Sequence, residues 1–427
     1  MIMFNYQQTS QSCVKCGKCI PSCTIYNIHP DEVTSPRGFI DLLGAYQRGE
    51  LELDKNAKDI FEKCFLCTNC TYVCPNLLPT DQVIENVRAE IAQKFGIAWF
   101  KRAYFFLLRN RWLMDWGFAL GSVFTPLLFK NLPKHQSVKP RFKLPLIGER
   151  VFMWLRFKSF MESYPEETLN SDRENPRRVA IFIGCLANYN YTKIGDSLME
   201  ILKELRIDAF IPKKQQCCGA PAYFTGDFPT VDKLIKQNVT YFESFIDEVE
   251  AIIIPEATCS AMILEDWERF MHNQPEWRER IARLLPKIFI ASDWLYHKTD
   301  LLKRLEALSV KMDKSITYHD PCHARKVLGV FKEPRALLGA NYKIVEMSDP
   351  NQCCGFGGVT LQTEKYQYSK KVGIAKTKMI QETGAKIVSA ECSACRMQLT
   401  NALDHEKIDV EFAHPLELIA EALKARG

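Results

Sequence analysis

The segments Cys13-Val-Lys-Cys16-Gly-Lys-Cys19-Ile-Pro-Ser-Cys23 and Cys64-Phe-Leu-Cys67-Thr-Asn-Cys70-Thr-Tyr-Val-Cys74 carry one spacing twice, and Pro75 follows the second. Each reads C-x2-C-x2-C-x3-C, the run that wraps cysteine thiolates around a cubane [4Fe–4S] cluster. Zinc sites instead hold C-x2-C pairs well apart, and a zinc or disulfide framework is the alternative these residues leave. In two-cluster ferredoxins the fourth cysteine of a run ligates the other cluster. The predicted sets are therefore Cys13, Cys16, Cys19 and Cys74 for one cluster, and Cys64, Cys67, Cys70 and Cys23 for the other. Such a crossing ties the two halves of the segment together by metal bonds.

The chain has 427 residues, 47% of them hydrophobic, with 17 cysteines and a net charge of +5. That length predicts several domains with sizeable cores. So many cysteines suit a reducing compartment when they bind metal. Residues 1–12 are polar, so no signal peptide is predicted, and the expected location is cytoplasmic. The charge is unevenly spread. Residues 101–158 hold twelve Lys or Arg against Asp115 and Glu149, a local +10, which leaves −5 for the rest.

Residues 1–95 are predicted to form a mostly helical two-cluster ferredoxin domain, with helices near Phe39–Arg48 and Thr80–Phe95. Residues 96–175 form an aromatic, basic linker, with Trp99, Trp112, Trp116 and Trp154 in it and Pro126, Pro133, Pro140 and Pro145 interrupting it. Trp116–Phe129 is fourteen residues without a charge. A bilayer span needs about twenty. The stretch suits a helix lying at a membrane surface, and a core hairpin with a solvated basic face is the other reading. A nucleic-acid partner is not expected, because no recognition module accompanies the basic charge.

The remainder reads as an internal repeat, 176–310 and 311–427. In the first copy, Val179–Ile183 leads to Cys185, Ala209–Ile211 to Cys217-Cys218-Gly219, and Ala251–Ile254 to Cys259. In the second, Ser315–Tyr318 leads to Cys322, Lys343–Met347 to Cys353-Cys354-Gly355, and Lys386–Val388 to Cys392 and Cys395. Helical stretches such as Lys193–Leu205 and Lys365–Thr383 separate the runs. The expected class is α+β multidomain, a helical ferredoxin module followed by two α/β repeats with parallel sheets. Every cysteine of the repeats falls just past a strand end, where ligands of such sheets bind.

Cys-Cys-Gly repeats with a preceding cysteine and a following Cys-x2-Cys resemble the cysteine-rich domain family. That family includes the iron–sulfur subunits of glycolate oxidase and anaerobic glycerol-3-phosphate dehydrogenase, lactate-utilisation proteins and the cysteine-rich subunit of heterodisulfide reductase. The resemblance covers nearly the whole chain. The turn Ser35–Gly38 looks like the glycolate oxidase branch, and Cys392-Ser-Ala-Cys395-Arg-Met like the glycerol-3-phosphate branch. The resemblance implies a noncubane [4Fe–4S] cluster on Cys322, Cys353, Cys354, Cys392 and Cys395. The first copy has Cys185, Cys217, Cys218 and Cys259 but Met262 in the last place. A thioether is a weaker iron ligand than a thiolate, which leaves open a four-cysteine cluster, another metal or none.

His319 and His323 flank Cys322, where they are structural hydrogen-bonding groups or tune a cluster. Gly355-Phe-Gly357-Gly358 does not fit the dinucleotide fingerprint, and no Walker sequence is present. The resemblance thus implies an electron-transfer subunit of an oxidoreductase, not catalytic alone. Its expected partners are an FAD-linked dehydrogenase subunit acting on glycolate, lactate or glycerol 3-phosphate, and a quinone acceptor. Its expected position is peripheral, on the cytoplasmic face of the inner membrane. A heterodisulfide-type reductase and a structural zinc protein are the alternatives.

Overall fold

The computed structural model describes residues 5–132, 137–148, 150–171, 176–308 and 311–425. Pro133, Lys134 and Glu149 of the basic linker, and the segment ends at 175 and 310, lie outside the described residues. The chain divides into two compact units. One comprises 5–106 with Gly219–Val231 and Gln352–Lys376; the other comprises Leu107–Cys218, Asp232–Asn351 and 377–425.

The first unit is helical. Ser35 starts the helix Pro36–Gln47: its Oγ accepts from Gly38 N, and Pro36 occupies the first turn, where no N–H is missed. Phe39, Ile40 and Leu43 are buried on one face of that helix. The helix Thr80–Phe95 buries Val83, Ile84, Val87 and Ile91, which join Phe39, Leu43 and Phe61 in one apolar cluster. Each such side chain contributes roughly 1.5–3 kcal/mol when fully buried. Among these apolar residues the same helix buries Arg88. Its guanidinium donates to Phe61 O at 3.1 Å, Cys64 O at 2.7 Å and Phe224 O at 3.0 Å.

The second unit holds the sheets of both repeats, whose segments Gly219–Val231 and Gln352–Lys376 belong to the first unit. The first sheet has five strands in the order Glu167–Thr168, Asp208–Phe210, Arg178–Ile181, Ala251–Ile254, Ile288–Ile290. Only the Glu167–Thr168 edge is antiparallel. Ala251–Ile254 is buried at every position, as a parallel strand covered on both faces must be. The second sheet runs Glu411–Ala413, Ile387–Ser389, Ile316–Tyr318, all parallel. Lys343–Met347, expected as a strand, reduces to one parallel bridge between Ile344 and Ile316. It sits at an edge with a single partner, and Glu346 turns out to Arg335 at 3.0 Å. With that bridge counted, the two copies share one strand order: second, first, third, fourth. Their sheets and helices meet in a single core that contains Val179, Ile253, Ile316, Ile387 and Leu416. A buried ion pair, Arg396 to Glu417 at 2.8 Å, lies in the second copy, with Arg396 4.5 Å over the Tyr191 ring of the first.

The linker folds as helices Trp99–Arg109 and Arg111–Leu128, then a three-stranded antiparallel sheet of Phe129–Leu132, Ser137–Pro140 and Phe152–Met153. Pro126 lies inside the second helix, one turn from its end. Among the described residues, no helix is long and apolar enough to cross a membrane.

Gly226 gives a direct check on the packing of the first unit. Its φ is +90°, and a Cβ there would lie 2.4 Å from Arg88 O and 2.7 Å from Ala89 N, both backbone atoms that cannot swing away. Gly226→Ala is expected to destabilise the unit by about 1–3 kcal/mol, read as a lower thermal unfolding midpoint. An unchanged midpoint would mean that the 219–231 segment does not press on the helix Thr80–Phe95.

Candidate iron–sulfur sites

Two small cavities in the first unit collect the N-terminal cysteines. One is lined by Cys23, Cys64, Cys67 and Cys70 with Phe39, Phe65 and Leu66. The other is lined by Cys13, Cys16, Cys19 and Cys74 with Ile40 and Pro75, and Cys70 also reaches it. The backbone repeats with the sequence. Lys15 and Leu66, each two residues past the first cysteine, and Gly17 and Thr68, four past it, all have positive φ between 49° and 75°. Left-handed residues turn the chain back so that successive sulfurs face one point, although each costs roughly 1–2 kcal/mol when it is not glycine. Hydrogen bonds reach the sulfurs: Leu66 N donates to Cys64 Sγ at 3.4 Å, and Thr24 Oγ1 lies 3.2 Å from Cys67 Sγ. Burial pushes the Cys23 and Cys64 thiols up to about 12 and Cys70 well above the usual thiol range. Such thiols ionise when a metal supplies positive charge. Of the eight, Cys16 alone is exposed and Cys23 alone is buried. Two cavities, one lined by four thiols and the other by four more together with Cys70, fit the donor sets of two [4Fe–4S] clusters.

In the first repeat, Cys185 opens the short helix Cys185–Tyr189, and Cys259 sits in the helix Ala257–Ala261. Cys218 Sγ is 3.4 Å from Cys259 Sγ. A hydrogen bond with Cys217, together with burial, raises the Cys185 thiol well above its usual range. The four thiols therefore meet as two contacting pairs. Gly184, with φ +73°, permits this approach, since a Cβ there would lie 3.1 Å from Cys259 Sγ. Side chains invisible to motif reading clamp the Cys217-Cys218 loop. Gln215 Nε2 donates to Ile181 O at 3.0 Å and its Oε1 accepts from Ile183 N at 2.9 Å, which ties the loop to the strand end. Asn238 Nδ2 donates to Cys217 O at 3.0 Å, and Trp267 Nε1 to Cys218 O at 2.9 Å. Arg111 donates to Gln215 O at 2.7 Å, and its charge favours the thiolate of Cys185. Met262 is fully buried at the start of a π-helical turn.

In the second repeat, Cys322 precedes the turn His323–Val327, Cys392 caps the helix Ser393–Glu406, and Cys395 lies in its first turn. These three belong to the second unit, and Cys353 and Cys354 to the first. Gly355 N donates to Cys353 Sγ at 3.4 Å. Thr258 of the first repeat stands beside the second: its Oγ1 is 3.6 Å from Cys392 Sγ and 3.4 Å from His323 Nδ1. His319 is fully buried, and its backbone N donates to Ser389 O at 2.9 Å.

A reciprocal carboxyl exchange joins the copies. Glu256, two residues past the strand Ala251–Ile254, accepts from Ser393 N at 2.8 Å and from Ser393 Oγ. Glu391, two past the strand Ile387–Ser389, accepts from Ser292 N at 3.0 Å and from Ser292 Oγ. Each carboxyl thus satisfies the N-terminal turn of a helix in the other copy. Burial pushes Glu256 up to about 7 and Glu391 to about 8. The sequence offered one signal for them, a glutamate at the same offset from equivalent strands.

Residues 9–78 match the 4Fe-4S dicluster domain family, and residues 179–264 and 316–400 each match the cysteine-rich domain family. The chain belongs to the iron–sulfur proteins that join a dicluster domain to two cysteine-rich domains, the build of an oxidoreductase iron–sulfur subunit. Among its relatives, the probable glycolate oxidase iron–sulfur subunit of Bacillus subtilis is 28% identical over 96% of this chain and 93% of its own length. Lactate utilization protein A of the same organism is 28% identical over 58% of this chain and 100% of its own. A subunit of the fumarate reductase (CoM/CoB) of Methanothermobacter marburgensis is 26% identical over 97% of this chain and 73% of its own.

The carboxyl exchange carries a pH signature. Both glutamates hold their protons to higher pH folded than unfolded, where carboxyls titrate near 4.5. Their contribution to stability is full below that value and is lost as pH rises through about 7 and then 8, by about 1.4 kcal/mol per unit of pKa difference. Glu391→Gln removes one share. The fall in the anaerobic unfolding midpoint between about pH 5 and about pH 8 is expected to shrink in that variant. An equal fall in both proteins would exclude Glu391 as its source.

Proposed function

We propose that this chain is the electron-transfer subunit of a flavin-linked dehydrogenase that oxidises a 2-hydroxy acid, glycolate or lactate, and passes the electrons toward quinone at a membrane surface. The observation that carries the reading is the pair of cysteine-lined cavities in one compact unit. The proposed ligands are Cys13, Cys16, Cys19 and Cys74 for one cubane, and Cys64, Cys67, Cys70 and Cys23 for the other. The names of the relatives support the substrate class. A partner supplies the flavin and takes a hydride from the substrate; one-electron carriers then divide the pair. The second repeat is proposed to hold a noncubane cluster on Cys322, Cys353, Cys354, Cys392 and Cys395. Cys185, Cys217, Cys218 and Cys259 form the incomplete counterpart. The four-part division 1–95, 96–175, 176–310 and 311–427 belongs to the same proposal.

The membrane part of the reading rests on one helix. Along Arg111–Leu128, Trp112, Trp116, Leu120, Val123, Phe124 and Leu127 are all more than half exposed, at intervals of three and four that make one stripe. Away from that stripe the helix is tied down: Asp115 Oδ1 accepts from Tyr189 Oη at 2.5 Å, Phe118 stacks on Tyr189, and Met114 and Thr125 are buried. An apolar face beside Lys130, Arg141 and Lys143, all exposed, suits an anionic bilayer.

Three experiments test this. Cys23→Ala and Cys16→Ala, purified anaerobically, are each expected to lose one of two reduced-cluster signals in electron paramagnetic resonance, and to lose different ones. The isolated chain is expected to leave glycolate and lactate unoxidised until a flavoprotein is added; oxidation by the chain alone would end the subunit reading. In flotation with phosphatidylglycerol vesicles the parent is expected to rise and the Trp116→Asp, Leu120→Asp double variant to stay behind. A parent that does not rise would end the membrane part.

A further inference from the structure

A cleft of about 410 Å³ opens in the first unit, between the end of helix Thr80–Phe95 and the start of helix Trp99–Arg109. Its volume falls within the roughly 300–1,000 Å³ of small-molecule sites. Ile91, Phe95, Ile97 and Phe100 give it apolar walls, and one end carries Arg88 and Lys101. Both cations are buried, at 3% exposure each. Lys101 Nζ donates to Thr360 Oγ1 at 2.8 Å and meets Glu364 at 2.8 Å. Arg88 lines the cleft and also donates to Cys64 O at 2.7 Å. One side chain therefore spans from this cleft to the backbone of a cysteine that lines the cavity of Cys23, Cys64, Cys67 and Cys70.

The lining selects a chemical class. A phosphate ligand would want a cradle of backbone N–H groups, whereas this cleft is faced by the carboxyls of Glu62 and Glu364. A sugar would want free polar partners all round, whereas the polar side chains here, Lys58, Glu62, Arg88, Lys101, Thr225 and Glu364, share the lining with Ile91, Phe95, Ile97 and Phe100, and Lys58 pairs with Glu62 and Lys101 with Glu364. A flat, neutral, largely apolar ring with carbonyl oxygens fits both ends: the ring against Phe95 and Phe100, an oxygen toward the cationic end. We propose that this cleft is the quinone site. The inference rests on the quinone reading given above and deepens it by naming where the acceptor sits.

The reaction balances there. The clusters, held by the two cysteine sets, would supply two electrons, one from each, and the quinone would take both with two protons to become the quinol. Glu62, which pairs with Lys58 at 4.0 Å, and Glu364 line the cleft and are partly exposed, so they can relay protons from water.

The test uses the cluster-loaded chain, reduced and kept anaerobic. A short-chain azido-benzoquinone is photolysed with it, and the labelled peptide is mapped. The label is expected on the peptide Phe95–Lys101 and is displaced by excess unlabelled short-chain quinone. Ala92→Trp, which fills the cleft, is expected to lose the label. It should also lower the rate of cluster reoxidation by quinone at least tenfold relative to reoxidation by ferricyanide. Ala98→Phe fills the same space and serves if the first variant does not fold. If the parent is reoxidised by quinone but the label falls elsewhere, or filling the cleft leaves the rate ratio unchanged, the site assignment is overturned and the quinone reading stands. If quinone does not reoxidise the parent at all, the quinone reading falls and the site with it.

Discussion

Four sulfurs can face one point only if the chain between them doubles back every three residues. The ferredoxin loops achieve this twice with the same left-handed positions, Lys15 and Gly17 in one run and Leu66 and Thr68 in the other. Backbone held in that conformation costs energy at three of the four positions, because only one is glycine. It is the metal that makes such a loop worth folding. The buried thiols resist ionisation alone, and iron bonds offset both that and the backbone strain. Arg88 extends the same logic outward. A guanidinium with backbone carbonyls as its hydrogen-bond acceptors is a costly thing to bury. Its charge favours the thiolate of Cys64, which gives it a counterpart.

The cysteine-rich half is built on a different constraint. Its two copies repeat one strand order but do not stand apart as beads. They share a core, and each lends a glutamate to a helix start in the other. The loops that present Cys217 and Cys218 are held by Gln215, Asn238 and Trp267 before any metal arrives. Preorganised sulfurs of that kind favour a fixed ligand geometry.

Much of this was legible in the residues. The cysteine spacing named the dicluster segment, and the four-residue recurrence of Val83, Val87 and Ile91 located the helix Thr80–Phe95 with the bounds it has. Strands of the repeats were found where a short run leads to a cysteine, as Ala209–Ile211 leads to Cys217 and Lys386–Val388 to Cys392. The runs Ile288–Ile290 and Glu411–Ala413, three residues each, escaped notice because no cysteine follows them. Lys343–Met347 looked like a strand by composition, but a sheet edge with one neighbour supports only a bridge. The roles of Arg88, Glu256 and Glu391 were out of reach, since their partners lie up to 137 residues away and the shared offset of the two glutamates does not say what they bind. The joining of Gly219–Val231 and Gln352–Lys376 to the N-terminal unit is likewise a matter of distant contacts.

The uneven shielding of the eight N-terminal sulfurs gives the module a front and a back. Cys16 is open to solvent while Cys23 is sealed. A redox partner can come closest to the group that Cys16 is proposed to hold, so traffic of charge across the surface would belong at that end. Dioxygen is smaller than any partner and uses the same door. Oxidative bleaching in air would therefore begin with the outer cofactor, and the inner one would outlast it.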